Sequence, residues 1–302
     1  MTRPERLVCY FGHHKCASTW IHTVLSTFCD EAGLKCAYLA NEGMFGGDLP
    51  GWVRAHDPDV LCYVNADWEH VEKLAAERDL IGIHMVRDPR DILASAYFSH
   101  LHSHKTGAWP ELVEHRKRQQ ERSKDEGLLA EFDFNAEVFD EMHRWQYGQD
   151  WVLELRMEEF TPDPLNGWLA AFRHLDLIDE THRGKGAQLG WWLRSSLNIA
   201  NAKHGFPLKA STARAPAERL LGMVHDNRFE TKTAGRKEGE EDVTSHYRKG
   251  VAGDWRNHFT QQHVDEFKKR YGDLLVRLGY EDSADWGLEA PKAAPNGEPT
   301  PA

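Results

Sequence analysis

A polar turn near the start of the chain contains side chains that could do chemistry. It lies in the stretch YFGHHKCASTWIHTVL, residues 10–25, where an apolar run gives way to a helical pattern. Its charged or reactive side chains are His13, His14, Lys15, Cys16, Ser18 and Thr19. Histidines and a cysteine can bind a metal, a thiolate can be a nucleophile, and a helix N-terminus beside a lysine can hold a phosphate or sulfate. The turn alone leaves these uses open, together with a plain helix start and a solvated lysine.

An arginine follows a predicted buried strand in the stretch IHMVRDPRDILASAYFSH, residues 83–100. Arg87 is predicted at the carboxyl end of this strand, which is where open α/β sheets bind ligands. An arginine there can bind a phosphate through two parallel hydrogen bonds, and Ser95 lies two turns into the helix that follows. An ion pair of Arg87 with Asp88 or Asp91 is the purely structural alternative.

A third basic stretch, YRKGVAGDWRNHFT at residues 247–260, precedes the last predicted helix. Arg248 and Lys249 stand directly before Gly250. A loop of this kind can wrap its backbone N–H groups around an anion. A surface turn leading into the final helix is the alternative interpretation.

Short apolar runs separated by helical patterns predict the elements that must position these side chains. The predicted buried strands are residues 7–11, 35–39, 60–64, 80–86 and 151–155. Strands that alternate with helices favour a parallel sheet with right-handed crossovers. We therefore expect an α/β fold, with a single domain over residues 1–286 built on a central parallel sheet of about five strands flanked by helices.

Two polar segments are not expected to join the core. Residues 111–134 are rich in charge and predict a solvated helix or a mobile lid. Residues 287–302 are rich in Pro, Ala and Gly and have few apolar anchors, a composition typical of a disordered tail.

Composition limits the compartment and the partners. The formal net charge of −11 argues against a basic face that binds nucleic acid. All five cysteines fall in the first 62 residues without a CxxC pair, which favours reduced thiols in a cytoplasmic protein. No apolar stretch is long enough to span a membrane. We therefore expect a cytoplasmic protein that binds neither nucleic acid nor a membrane.

Together, the three basic stretches resemble the motifs of the cytosolic sulfotransferases, which use 3′-phosphoadenosine 5′-phosphosulfate (PAPS). The turn HKCASTW (14–20) is similar to the family turn PKSGTTW, and VRDPRDILASAY (86–97) resembles the element VRNPxDxxxSxY. The stretch RKGVAGDWRNHFT (248–260) is similar to RKGxxGDWxxxFT at every fixed position. The resemblance extends over residues 7–260 and implies the P-loop NTPase-like sulfotransferase fold.

The resemblance also implies roles for individual residues. The turn Lys15–Thr19 would hold the 5′-phosphosulfate, with Lys15 reaching the bridging oxygen. Arg87 and Ser95 would bind the 3′-phosphate, and the third basic stretch would close over the same phosphate. Trp20 and Phe229 would contact the adenine. The implied cofactor-binding residues are His14, Lys15, Cys16, Ala17, Ser18, Thr19, Trp20, Arg87, Ser95, Phe229, Arg248, Lys249 and Gly250.

The implied reaction is the in-line transfer of a sulfuryl group from PAPS to an acceptor hydroxyl, with 3′-phosphoadenosine 5′-phosphate (PAP) as product. Negative charge builds up on the leaving phosphate in such a transfer, where a lysine and helix N–H groups can stabilise it. No metal is expected, because the sulfuryl group carries less charge than a phosphoryl group. His100 and His104 share a helix face and could bind a metal, although lining a polar pocket is the commoner use of such histidines.

The base that takes the acceptor proton departs from the family pattern. Many members have a histidine in a KTHLP-like segment after the third strand, and residues 62–71 lack it. We rank Glu42 first, because other sulfotransferase branches use a glutamate shortly after the second strand. Asp67 follows, and then His56 or His13. A loop carboxylate that faces water is the alternative for Glu42.

The acceptor is expected under three variable loops, residues 43–52, 99–112 and 189–206. Their aromatic side chains are Trp52, Trp109, Trp191, Trp192 and Phe206. Apolar walls favour a small hydrophobic or aromatic acceptor with a hydroxyl, while sugars and burial of these residues in the core stay open. A homodimer is one candidate for the oligomeric state. The competing functions are a small-molecule kinase, which the missing GK[ST] signature disfavours, and a nucleotide-binding module without catalysis.

Overall fold

The computed structural model describes residues 3–107, 109–181, 184–205 and 208–288. Its main strands are β1 (Leu7–Gly12), β2 (Cys36–Leu39), β3 (Val60–Tyr63), β4 (Leu80–Val86) and β5 (Val152–Arg156). They form one parallel sheet in the order β2-β3-β1-β4-β5. The predicted α/β fold with a five-stranded parallel sheet is therefore confirmed.

Helices cover both faces of this sheet. They are α1 (Ser18–Ala32), α2 (Leu49–His56), α3 (Trp68–Glu77), α4 (Pro89–Phe98), α5 (Pro110–Gln120), α6 (Lys124–Phe134), α7 (Ala136–Arg144), α8 (Met157–Phe160), α9 (Pro164–His174), α10 (Lys185–His204), α11 (Ala217–Asp226), α12 (Phe229–Lys232), α13 (Gln261–Tyr271) and α14 (Leu274–Arg277). A separate parallel pair, β6 (Ile178–Asp179) with β7 (Ala215–Pro216), was not among the predicted strands.

The central strand β1 is buried on both sides, as expected for a parallel strand covered by helices. Its side chains alternate between the two faces of the sheet, because successive residues of a strand point in opposite directions. Val8 and Tyr10 join the core under α1, whereas Leu7, Cys9 and Phe11 join the core under α2 and α3. The sheet thus separates two apolar layers.

The carboxyl ends of β1 and β4 lie side by side, because these strands pair in parallel with Gly12 opposite Met85. The polar turn, which we define as His13 to Ala17, follows β1 directly and leads into α1. Arg87 is the first residue after β4. Two of the three basic stretches therefore meet at one edge of the sheet, at the place where open α/β sheets bind ligands.

The charged segment 111–134 differs from its prediction as a solvated helix or lid. It forms most of α5 and α6, and α6 packs against α4. Leu112, Leu128 and Phe132 of this segment are buried, and so is the carboxylate of Glu131. One side of the segment thus joins the core while the other is exposed to solvent, and the partners that stabilise its buried carboxylate are described below.

Two further expectations concern the thiols and the chain limits. All five cysteines are free thiols. Within the described ranges, no helix has both the length and the apolar character that crossing a bilayer requires. Residues 289–302, most of the expected tail, lie outside the described residues, so the domain limit at residue 286 stays a prediction.

Candidate active site

The polar turn is a tight loop with two residues in the left-handed conformation. Lys15 has a φ of 65° and Ala17 a φ of 58°, a conformation that costs a non-glycine residue about 1–2 kcal/mol. The Cys16 N–H closes the loop by donating to the carbonyl of His13 at 3.1 Å. Backbone strain of this kind is concentrated at functional sites. The loop brings Lys15 and the N-terminus of α1 to the ligand-binding edge of the sheet.

Arg87 connects the polar turn to the end of β4. Its Nη1 donates a hydrogen bond to the carbonyl oxygen of Lys15 at 3.2 Å. Burial, together with the positive charges of Arg87 and Arg248, lowers the pKa of Lys15 to about 7. Among the described residues no carboxylate forms an ion pair with Lys15. A buried lysine between two arginines is unfavourable on its own, and a bound anion would relieve this repulsion.

Asp91 of α4 attaches the third basic stretch to the same edge. Its carboxylate accepts hydrogen bonds from the N–H of Gly253 at 2.6 Å and from the N–H of Trp255 at 2.9 Å. Asp91 is almost fully buried. The structure therefore brings all three predicted basic stretches together, and Asp91 serves as a structural link rather than as a partner of Arg87.

Both basic side chains of the third stretch contact carboxylates. Arg248 donates to Asp254 Oδ2 at 2.5 Å and pairs with Glu241, while Lys249 Nζ donates to Asp254 Oδ1 at 2.6 Å. Burial would raise the pKa of Asp254, but hydrogen bonds from His258, Lys249 and other donors outweigh it and hold the pKa well below its usual value. Arg248 also stacks its guanidinium over the Phe98 ring at 4.5 Å. These contacts orient the loop before any ligand binds.

Phe229 lies directly under Gly250. A Cβ atom on Gly250 would come within 2.9 Å of the Phe229 ring, and Gly250 has a φ of 70°. Glycine is therefore required here twice, for backbone conformation and for space. Phe229 is half-buried at the start of α12, so the sequence-predicted pair of Phe229 and Gly250 is in contact.

The other predicted cofactor residues differ in accessibility. Trp20 is 9% exposed and packs edge-on against Phe160 and Trp168, which leaves little of its ring for an adenine. Cys16 is fully buried, and burial raises the pKa of its thiol, so it is not a thiolate nucleophile. Ser95 is half-buried on α4, and its hydroxyl has no hydrogen-bond partner among the described residues.

Three of the residues ranked as base have positions that limit this role. Glu42 is exposed in a short 3₁₀ turn after β2. Asp67 caps α3 and accepts hydrogen bonds from the Glu69 N–H at 2.8 Å and from Arg144 at 2.6 Å. Partial burial would raise its pKa, but these bonds outweigh it and lower the pKa. His56 is exposed at the end of α2, where it stacks on a tryptophan.

His13, the other histidine ranked as a candidate base, is a buried residue of the turn. Its side chain has no exposed surface. Its Nε2 is 2.9 Å from His84 Nε2 and its Nδ1 is 3.3 Å from Glu141 Oε2. A fully buried imidazole has no surface to offer an acceptor, so we leave His13 out of the proposed base.

Sequence reasoning missed a buried polar cluster beside the turn. The Nε2 of His14 is 3.0 Å from the Nε2 of His100, and His100 Nδ1 is 2.8 Å from Glu131 Oε2. The Nε2 of His115 is 2.7 Å from the other oxygen of Glu131. His104, which was predicted to share a helix face with His100, contacts the carbonyl of Lys105. The buried leucine and phenylalanine on either side of Glu131 were the signal that its helix enters the core.

A family model of the sulfotransferase domain matches residues 218–279, which include the third basic stretch. The resemblance to the sulfotransferases is confirmed over these residues. No curated protein matches the sequence. The family match therefore covers the loop of Arg248 and Lys249, the helix α13 that follows it, and the segment of Phe229.

Two solved structures resemble the chain at low sequence identity. Mouse sulfotransferase SULT7A1 in complex with PAP is 14% identical, with a TM-score of 0.47 over 89% of this chain and 84% of that chain. Retinol dehydratase in complex with androsterone and the inactive cofactor PAP is 15% identical, with a TM-score of 0.43 over 91% of this chain and 82% of that chain.

The aromatic residues expected around the acceptor have different positions in the structure. Trp109 lies next to the polar turn, with its ring 5.7 Å from that of His14. Trp191 is buried and donates its indole N–H to Glu31 at 2.9 Å, so it belongs to the core rather than to a pocket wall. Trp192 is exposed, and Phe206 lies outside the described residues.

Proposed function

We propose that the protein is a sulfotransferase that moves the sulfuryl group of PAPS to a hydroxyl of a small acceptor and releases PAP. The observation that carries this proposal is the meeting of Lys15, Arg87 and Arg248 at the carboxyl edge of the sheet, without a carboxylate on Lys15. The family match over residues 218–279 supports it.

In this proposal the polar turn binds the 5′-phosphosulfate. The N-terminus of α1 directs free N–H groups and a positive dipole end toward the anion. Lys15 stabilises the charge that develops on the leaving phosphate during an in-line transfer. Because lysine and arginines already supply positive charge at this place, the proposed mechanism passes no step through a metal.

The 3′-phosphate would lie between α4 and the third basic stretch. Arg87 and the unpaired hydroxyl of Ser95 bind it from α4 and the end of β4, while Arg248 and Lys249 approach from the loop. The two loop side chains would share their hydrogen bonds between Asp254 and the phosphate, since each has donors to spare.

Adenine and acceptor would occupy neighbouring parts of the same edge. Phe229, held under the glycine of the loop, offers a ring on which the adenine can stack. Trp109 and the histidines beside it offer an aromatic and polar wall next to Lys15. This surface suits a small phenol or alcohol, which needs an apolar contact and one hydrogen-bonded hydroxyl.

Titration calorimetry with PAP, combined with an assay of PAP release from PAPS over a panel of phenols and alcohols, tests this proposal. Lys15→Ala should lower kcat about 10²–10³-fold, because it removes a charge that acts in the transition state. Arg87→Ala should weaken PAP binding by about tenfold or more, the loss of charge-assisted hydrogen bonds. Lys73→Ala on α3, where the lysine is exposed and pairs with Glu69, is the matched control.

The outcomes separate the competing functions. A wild-type rate in Lys15→Ala would show that the turn does not bind the transferred group. Binding of ATP with Mg²⁺ but not of PAP would instead favour a kinase. PAP binding without turnover over the whole panel would favour a nucleotide-binding module.

A further inference from the structure

We propose that His14 is the general base of the transfer and that His100 and Glu131 orient it; this inference rests on the proposed function. His14 directly precedes Lys15, so its imidazole belongs to the loop that would hold the phosphosulfate. From His14 Nε2 the contacts run to His100 Nε2 at 3.0 Å and from His100 Nδ1 to Glu131 Oε2 at 2.8 Å. This series of hydrogen bonds starts at the partly exposed residue His14 and ends at the fully buried carboxylate of Glu131.

Glu131 is held in its ionised form by four hydrogen-bonding side chains. Besides His100, they are His115 at 2.7 Å, Gln119 at 2.8 Å and Asn135 at 2.8 Å. Burial would raise the pKa of Glu131, but the contacts with His100 and His115 outweigh it and lower the pKa to about 2. An ionised carboxylate only accepts hydrogen bonds, so the Nδ1 of His100 must carry a hydrogen.

This requirement fixes the tautomers of both histidines. Desolvation lowers the pKa of His14 and of His100, so both rings are neutral near pH 7. Neutral His100 with a hydrogen on Nδ1 has its lone pair on Nε2, and it therefore accepts the Nε2–H of His14. The lone pair of His14 then lies on Nδ1, which has no hydrogen-bond partner among the described residues. That nitrogen is free to take a proton.

The resulting transfer step is balanced. A bond forms between the acceptor oxygen and sulfur, the bond from sulfur to the bridging oxygen breaks, and its electron pair moves to the 5′-phosphate of PAP. The acceptor proton moves to His14 Nδ1, and the Nε2 hydrogen of His14 can move to His100, beside Glu131. Bound PAPS is an anion and raises the pKa of His14 from its low value, which makes the ring a better base. The proton returns to water after product release.

The elements around His14 fix the positions of the hydrogen-bonded side chains. His100 lies in a π-helical turn, Ser99–Ser103, that continues α4, and such turns are frequent at functional sites. Arg116 of α5 donates to the carbonyl of His100 at 2.5 Å and to that of His104 at 2.7 Å. The titratable groups that face His14 are Lys15, His100, His104 and His246. None of these four groups is a carboxylate, and Glu131 acts on His14 through His100.

The sequence-ranked base Glu42 fits less well. Glu42 follows β2, which is separated from β1 by β3, so its place in the sheet is about 10 Å to the side of the polar turn. Its side chain is exposed and forms no hydrogen bond or ion pair with another described residue. His14 has both proximity to Lys15 and a hydrogen-bonded support.

His14→Gly with added imidazole tests the base directly. We expect kcat to fall about 10²–10⁴-fold, the usual contribution of a general base, while the Kd for PAP changes little. Free imidazole should restore part of the rate. His102→Ala is the matched control, because His102 is exposed on the same π-helical turn and its side chain forms no hydrogen bond, ion pair or ring contact with another described residue. It should keep wild-type turnover.

Glu131→Gln tests the positioning role. Loss of the negative charge should lower the pKa of the base, so the acid limb of kcat/KM should move to lower pH while the plateau rate falls. A purely structural defect would lower the rate without moving that limb. His100, His115 and Glu131 are also close enough to share a metal ion. Inhibition by EDTA that added zinc reverses would therefore overturn the relay.

The two proposals fail in different ways. If wild-type protein releases no PAP from PAPS with any acceptor, both the sulfotransferase function and the base are wrong. If the wild type turns over but His14→Gly keeps its rate, only the base is wrong. A His14→Gly protein that loses PAP binding along with its activity would make His14 a cofactor-binding residue instead.

Discussion

At the scale of a single residue, the pKa of Lys15 couples PAP binding to pH. In the free protein, burial and two neighbouring arginines lower this pKa to about 7. A bound phosphate favours the charged lysine and raises the pKa, so binding takes up a proton above pH 7. We therefore expect the Kd for PAP to rise by up to about tenfold per pH unit between about pH 7.5 and 9.

Lys15→Arg is the matched variant for this effect, because an arginine stays protonated throughout this range. Its Kd for PAP should hardly change with pH. Calorimetry in two buffers of different ionisation enthalpy measures the proton uptake of each protein. If the Kd for PAP depended on pH equally in the wild type and in Lys15→Arg, Lys15 would not be the group that takes up a proton on binding.

Single residues also show what sequence can and cannot predict of the site. Lys15, Arg87 and Arg248 were found from three separate stretches, because each has a basic side chain at a strand end or in a glycine loop. His100 and Glu131 were not paired in advance. Their contact joins the end of α4 to α6, and no local pattern specifies which distant imidazole a buried carboxylate will meet.

At the scale of elements, Asp91 couples α4 to the loop that would close over the cofactor. It accepts two backbone N–H groups of that loop while almost fully buried. Asp91→Asn keeps the shape but loses the charge, and its amide group turns a donor toward one of the N–H groups. Because hydrogen bonds to charged groups contribute about 1.5–3 kcal/mol each, we expect a lower free energy of unfolding and weaker PAP binding.

Urea unfolding and hydrogen exchange over residues 248–257 measure this effect. Exchange should increase in that loop and stay unchanged in β1. Asp140→Asn on α7, where the aspartate is exposed, is the matched control. If residues 248–257 of Asp91→Asn exchanged their amide hydrogens at the wild-type rate, other contacts, such as those of Asp254, would be sufficient to keep this loop in place.

The elements themselves were predictable to different degrees. The five strands of the sheet were found as apolar runs, since β1, β3 and β4 are buried along their whole length and the edge strands β2 and β5 are also largely apolar. Residues 111–134 are helical and exposed on one side, as predicted, but their many charges concealed the side that is buried. Glu131 enters the core only because His100 and His115, from separate elements, offset its desolvation.

At the scale of the whole molecule, a second buried histidine pair links distant parts of the fold. His84 of β4 is 2.5 Å through its Nδ1 from Glu154 of β5 and 2.9 Å through its Nε2 from His13. His13 in turn contacts Glu141 of α7. Both imidazoles are fully buried. The turn that would bind the cofactor therefore rests on a polar chain whose protonation affects the stability of the entire domain.

We expect the free energy of unfolding to decrease as the pH falls from about 6.5 to about 4, in part because of His84. Burial lowers the pKa of His84 to about 4, although the charge of Glu154 opposes this change. In the unfolded chain the pKa is about 6.5. Between these values the unfolded state binds a proton that the folded state does not, so stability is lost as pH falls. The total from His84 is about 3 kcal/mol.

His84→Gln should reduce the slope of this decrease by up to one proton, whatever its effect on stability at neutral pH. Urea unfolding at a series of pH values gives the slope for each protein. His102→Gln, at an exposed position, should keep the wild-type slope. A wild-type slope in His84→Gln would mean that the buried ring takes up a proton as readily as in the unfolded chain. His84 would then be stable as a buried imidazolium, and the carboxylate of Glu154 at its Nδ1 would supply the balancing negative charge.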